Sequence, residues 1–271
     1  MTFRFGVVAA TARTGAEWVA TAQQAEKLGY DSLLVPDTVH TLSPFAALAA
    51  AAASTSRLRL GTYVLSAPNR APGLVAWETR SLQLLSGGRF ELGIGGGRPG
   101  AEQDAAMLGA EFGTPRERLR RVADTIRAVR EGPECPPILV AASKPGMLRL
   151  AAEQADIVAL GLPPQSSEEE LAGMVARLRD FGGSPEVHVN VAAVAVTADA
   201  IPEWVGRMVG ADPRPMAAAG GIGFLLGEPG EIAEKLRRRR ADLGISYIGV
   251  NGMFMEQFAP VITALREGGN G

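Results

Sequence analysis

The sequence predicts an α/β fold, a (β/α)8 barrel, on three observations. The chain has 271 residues, close to the roughly 250 of a typical barrel of this kind. Eight short apolar runs alternate with helical patterns from end to end, the order that gives parallel strands joined by right-handed crossovers. The runs are continuously apolar, as strands covered on both faces require. A doubly wound open sheet is the competing architecture, and strand count and chain length favour the barrel. No linker, low-complexity segment or internal repeat divides the sequence, so residues 1–271 read as a single domain.

The elements follow in order. Residues 3–9 form the first strand. A helix over about 16–28 puts Trp18, Ala22 and Ala25 on one face, at helical spacing. The second strand, 32–35, is stopped by Pro36-Asp37. An alanine-rich helix covers about 44–53. The third strand is 58–65, and the helix over 74–85 ends at Gly87-Gly88. The fourth strand, 89–94, runs into Gly95-Gly96-Gly97. Thr114 caps the next helix, Pro115 takes its first position and Glu117 closes a capping box. The fifth strand is 137–141, followed by a helix near 145–154 and the sixth strand, 157–160. Ser167 and Glu170 form another capping box. The seventh strand is 187–196, residues 198–224 are irregular, and a helix covers about 229–243. Its four arginines, Arg237 to Arg240, read as a solvated face. The eighth strand is 247–250, and a last helix spans about 255–266.

Composition narrows the function. A net charge of −2 gives no bias toward nucleic acid or an anionic membrane. One cysteine, Cys135, excludes a disulfide within the chain, and the two histidines, His40 and His188, form no ligand pair, so no metal site is expected. The first residues enter a strand pattern at once, so no signal peptide is expected there. The longest apolar stretch, 44–53, is too short to span a bilayer, and the expected location is cytoplasmic.

Gly95-x-Gly97-x-x-Gly100 follows a strand and matches the dinucleotide-binding spacing. Arg98-Pro99 and the late start of the capped helix at Pro115 argue against a Rossmann unit. In a barrel, the loops after the strands form the catalytic face, and glycines there let backbone approach a flat ring or a phosphate.

These residues also carry a resemblance. Leu85-Ser86-Gly87-Gly88-Arg89-Phe90-Glu91-Leu92-Gly93-Ile94-Gly95 resembles the signature of luciferase-like monooxygenases. Gly61-Thr62-Tyr63-Val64-Leu65 with Asn69-Arg70-Ala71-Pro72, Lys27-Leu28-Gly29-Tyr30-Asp31, and Leu243-Gly244-Ile245-Ser246-Tyr247 are similar to other parts of that class, above all its coenzyme F420-dependent branch. The resemblance implies a luciferase-like barrel and an oxidoreductase using F420, with FMN as the alternative cofactor, acting on a small-molecule substrate as a homodimer. It further implies that Asp37 lies beside the ring and that Tyr63-Val64 is a cis-peptide bulge backing it. Gly95, Gly96 and Gly97 would pass close to the cofactor, and Ala141, Ala142 and Ser143 would offer backbone N–H groups to its phosphate. The last assignment has an independent reason, since a helix N-terminus favours an anion.

Thr38 stands where the F420 branch often has a histidine. His40, two residues later, is the candidate proton donor, with Asp37 beside it as the other candidate catalytic residue. Arg98 is a candidate for an anionic substrate or a solvated loop residue. His188 reads as structural, at the entry of its strand. The functions in competition are an F420-dependent oxidoreductase, an FMN-dependent monooxygenase and a flavin-binding barrel without turnover.

Overall fold

In the computed structural model, which describes residues 2–267, eight parallel strands close into a barrel. They are β1 (Arg4–Val8), β2 (Ser32–Val35), β3 (Arg59–Thr62), β4 (Phe90–Gly95), β5 (Ile138–Ala142), β6 (Ile157–Leu160), β7 (Glu186–Val191) and β8 (Ile245–Asn251). Each pairs with its neighbours, β8 with β1, and β3 with β4 through Leu60–Phe90 and Gly61–Glu91. Helices cover the outside, and their inward faces are those the periodicity predicts: Trp18, Ala22 and Ala25 on Gly15–Lys27, and Leu171, Val175 and Leu178 on Glu168–Asp180. Both capping boxes are present, Thr114 with Glu117 and Ser167 with Glu170.

The inside of the barrel is layered by the two-residue period of its strands. At the N-terminal end, β1, β3, β4 and β7 point Arg4, Arg59, Glu91 and Glu186 at one another. Glu91 Oε1 accepts from Arg4 Nη2 at 2.5 Å and also from Arg59 Nε, while Arg4 Nη1 donates to Glu186 at 2.6 Å. Above this ionic plug, Tyr247 bonds Ser32 and lies edge-on to His188. Glycines make the room: a Cβ at Gly249 would meet His188 Nε2 at 2.6 Å. At Gly93 a Cβ would stand 1.9 Å from the Thr62 carbonyl oxygen. The Thr62 hydroxyl there donates to the Gly93 carbonyl at 2.7 Å and accepts from its N–H at 2.8 Å, locking β3 to β4 below the cleft.

Several elements differ from expectation. The third strand breaks at Tyr63-Val64 and resumes at Leu65–Ser66. The seventh leaves the barrel at Ala192, whose N–H donates to the Gly223 carbonyl, and Ala193–Ala195 pairs with Phe224–Leu226 in a separate two-stranded sheet. An apolar run alone does not show where a strand changes partner. The irregular stretch holds helices Trp204–Val209 and Pro213–Ala218. In the arginine run, Arg239 is only 4% exposed and its guanidinium holds the Glu168 carboxylate, so the expectation of a wholly solvated face is corrected there.

Candidate active site

The C-terminal mouth of the barrel opens into a cleft of about 370 Å³. Its walls come from five strand ends: Asp37 and Thr38 after β2, Tyr63 to Ser66 after β3, Gly95 to Arg98 after β4, Ala141 to Ser143 after β5, and Ala159 to Gly161 at the end of β6. Every residue expected at the cofactor site lies here. The Tyr63–Val64 peptide is cis. Gly95 keeps the floor low, since a Cβ there would stand 3.1 Å from Val64 Cγ2 and 3.3 Å from Ala141 Cβ. Gly97 turns the loop at φ +92°, a left-handed conformation that favours glycine.

Beyond Gly96 and Gly97 the cleft runs into a second lobe of about 400 Å³, lined by Arg116, Arg118, Ser143, Lys144 and Gly146. The helix Pro145–Gln154 begins at this point, so its free N–H groups and three cationic side chains gather at one end of the cleft. That end suits an anion. The first lobe is different. Among its lining side chains, Asp37, Arg98 and Tyr63 are the ionisable ones. Asp37 pairs with Arg70, and Tyr63 turns its hydroxyl to His188 Nδ1, 3.4 Å away. Burial raises the Tyr63 phenol above its ordinary range.

Arg98 does not stand free to receive an anion. Its Nη2 donates to Asp104 at 2.8 Å and its Nη1 to the Pro99 carbonyl at 2.9 Å, so it folds the glycine loop onto the short helix Ala101–Met107. That helix opens directly after Gly100, one residue beyond a Rossmann-like spacing. The closed parallel barrel, rather than a missing helix, is what separates this loop from a dinucleotide fold. The structure does not bring His40 to the cleft: it lies exposed in the turn before Ser43, outside the lining residues. The two residues separating it from Thr38 place it further along that turn.

One cleft residue was missed in the sequence. Ser66, 5% exposed, lines the cleft with a buried hydroxyl that has no hydrogen-bond partner. A buried polar atom of this kind at a cleft wall calls for a partner. Together with the glycine floor it fits a flat ring bearing polar atoms at its edge. His188, expected to be structural, is the third residue of β7 and lies in the barrel interior, fully buried between Tyr63 and Tyr247 at centroid distances of 4.9 and 4.6 Å. Burial, with the Arg4 charge adding to it, pushes its imidazole down to about 3. The folded chain therefore refuses a proton that the unfolded chain accepts below about pH 6.5. Stability contributed here is complete above that pH and is lost as pH falls toward 3. In His188→Gln, the acid slope of unfolding free energy is expected to be shallower by up to about 1.4 kcal/mol per pH unit in that window. Urea unfolding at several pH values measures it, and parallel slopes would contradict the assignment.

Among the described residues, no group of three His, Cys, Asp or Glu side chains is placed to hold a metal ion, and no helix is long and apolar enough to cross a membrane.

Comparison with known proteins places this geometry. Residues 1–208 match the family model described as luciferase-like monooxygenase. The chain is 27% identical over 196 residues to 5,10-methylenetetrahydromethanopterin reductase of Archaeoglobus fulgidus, covering 65% of this chain and 58% of that protein. It is 32% identical over 165 residues to the F420-dependent glucose-6-phosphate dehydrogenase of Beutenbergia cavernae, covering 49% and 48%. The chain thus spans about half the length of these curated relatives. An F420-dependent secondary alcohol dehydrogenase superposes with a TM-score of 0.73 at 17% identity, covering 98% of this chain and 100% of that one. The monooxygenase RslO1 from Streptomyces bottropensis does so at 0.76 and 20%, covering 97% and 98%. With a matching family model over most of its length and the cis bulge and glycine loop meeting at one cleft, the chain belongs to the luciferase-like monooxygenase family.

Proposed function

We propose that the chain is an oxidoreductase that holds coenzyme F420 in this cleft and transfers hydride between it and a small organic substrate. One observation carries the reading: a glycine-floored cleft continues into a cationic lobe at a helix N-terminus. The first lobe suits a ring and the second an extended anionic tail. Gly95, Ser66 and the Tyr63-Val64 bulge would hold the ring, Asp37 would accept a hydrogen bond at its edge, and Ala141 to Ser143 with Lys144 would hold the phosphate. When bound, the deazaflavin supplies the ring carbon that gives or takes the hydride. The chain's part is to orient, to exclude water and to compensate charge. With Arg98 committed to Asp104 and Asp37 to Arg70, the ring lobe offers a substrate no unpaired cation among its described lining residues.

A monooxygenase on the same barrel, with FMN as its cofactor, is the second reading; the monooxygenase activity is in keeping with the 35% identity over 125 residues to 4-hydroxyprotoasukamycin monooxygenase of Streptomyces nodosus, which covers 44% of this chain and 31% of that one. Titration of the purified protein with each cofactor, followed by tryptophan quenching, separates the two. Micromolar F420 binding with FMN at least about tenfold weaker, or 1.4 kcal/mol, is the expected result. The reverse order would assign the FMN chemistry, and no binding of either would remove the redox reading.

We also propose a homodimer. Leu74, Trp77, Leu84 and Leu85 stand exposed on the helix Pro72–Leu85, Trp77 at 61%, an apolar face of the kind a partner covers. Sedimentation of Trp77→Glu is expected to show the monomer mass where the unaltered chain shows twice that. Equal masses would place the contact elsewhere.

A further inference from the structure

We propose that Arg70 is a positioning residue of the cleft: it fixes the Asp37 carboxylate at the cleft edge while sharing its guanidinium with Glu78. The inference rests on the reading of this cleft as the ring site.

Both carboxylate oxygens of Asp37 are engaged. Oδ1 accepts from Arg70 Nη2 at 2.8 Å, and Oδ2 accepts from the Ser66 backbone N–H at 3.1 Å. A carboxylate oxygen has a second acceptor site, so each can still receive a donor from the cleft. The side chains of Asp37 and Arg70 are 6% and 16% exposed, which shelters the pair from solvent and salt. Arg70 leaves the turn just after Ala67–Asn69, and its guanidinium stands 5.8 Å from the Phe45 ring centroid.

The other side of the guanidinium faces a second carboxylate. Arg70 Nη1 is 4.0 Å from Glu78 Oε2, an oxygen that is buried without a hydrogen-bond partner. Arg70 Nε is buried and unpartnered too. One cation therefore serves two carboxylates, with the close contact given to Asp37 and the distant one to Glu78. Burial pushes Glu78 above the usual carboxylate range; Arg70 opposes that rise and the Asp37 charge adds to it. A planar fork can address two partners in different directions, whereas a lysine ammonium is a point charge on a flexible stem. Without Arg70, Asp37 keeps the Ser66 N–H on Oδ2, and among the described residues no other hydrogen bond fixes Oδ1.

A double-mutant cycle on the full chain tests this, with F420 and FMN each titrated by fluorescence. Arg70→Met is expected to weaken binding of the preferred cofactor by about tenfold or more when Asp37 is present, and by no more than about twofold in the Asp37→Asn background. Arg70→Lys should recover only part of the loss. Equal losses in both backgrounds would make Arg70 a structural prop and overturn the proposal, as would full recovery by lysine. If Arg70→Met fails to fold, the cycle of Arg70→Lys with Asp37→Asn gives the same comparison. An unaltered chain that binds neither cofactor would sink the proposed function, and this inference with it, whereas binding with additive effects would sink the inference alone.

Discussion

Glu91→Gln is expected to destabilise the chain by about 3 kcal/mol, the low end of what removing one partner from a buried ion pair costs. Glu91 is only 3% exposed and faces both Arg4 and Arg59. The variant keeps the shape and removes the charge, leaving Arg59 without a carboxylate and Arg4 with Glu186 alone. The other oxygen, Oε2, has no partner in the unaltered chain, so the loss falls on the two arginine contacts. The arginines are 23% and 33% exposed, which lets water take up part of the released charge and keeps the expected loss from the upper end. An exposed pair such as Arg127–Asp124 should contribute well under 1 kcal/mol when broken. Urea unfolding at neutral pH compares the two variants. A Glu91→Gln loss as small as that of Asp124→Asn would show that the ionic plug does not hold the barrel's lower end together.

Gly95→Val is expected to lower cofactor affinity by about a hundredfold or more, near 2.7 kcal/mol, while the barrel still folds. The Cβ would already sit at 3.1 Å from Val64 and 3.3 Å from Ala141, tight contacts to side-chain atoms that give by tenths of an ångström. The two further methyl groups then occupy the floor on which a ring would lie. Gly73→Ala, where a Cβ would meet nothing within 4 Å, is the control expected to leave binding unchanged.

Much of the barrel was legible because its signals are local. Ser32–Val35, Pro145–Gln154, Ile157–Leu160 and Pro229–Leu243 fall at the boundaries expected from apolar runs and punctuation. Both capping boxes were readable because the residues that make them lie three apart. The helix Ala101–Met107 has seven residues and no side-chain cap, too short to show a period. The strand exchange near Gly223 depends on a partner some thirty residues away, which no local window contains. Within the site, the glycine loop and the Tyr63-Val64 bulge were legible by resemblance. The commitments of Arg98 to Asp104 and of Asp37 to Arg70 were not, because pairing is a property of the folded chain. His188 shows the same limit. Its place in β7 was close to that expected, but its burial between two tyrosines is decided by β3 and β8. Nothing in the sequence sets Ser66 apart, because the burial of its unpartnered hydroxyl at the cleft wall exists only in the folded chain.

The central claim is that this cleft holds the ring. Side-by-side titration of the unaltered chain and Gly95→Val with F420 tests it most directly, with thermal unfolding run on both to show that each is folded. The account expects saturable micromolar binding by the first and a loss of about a hundredfold in the second. Equal affinity in two folded proteins would place the cofactor somewhere other than the glycine-floored mouth of the barrel.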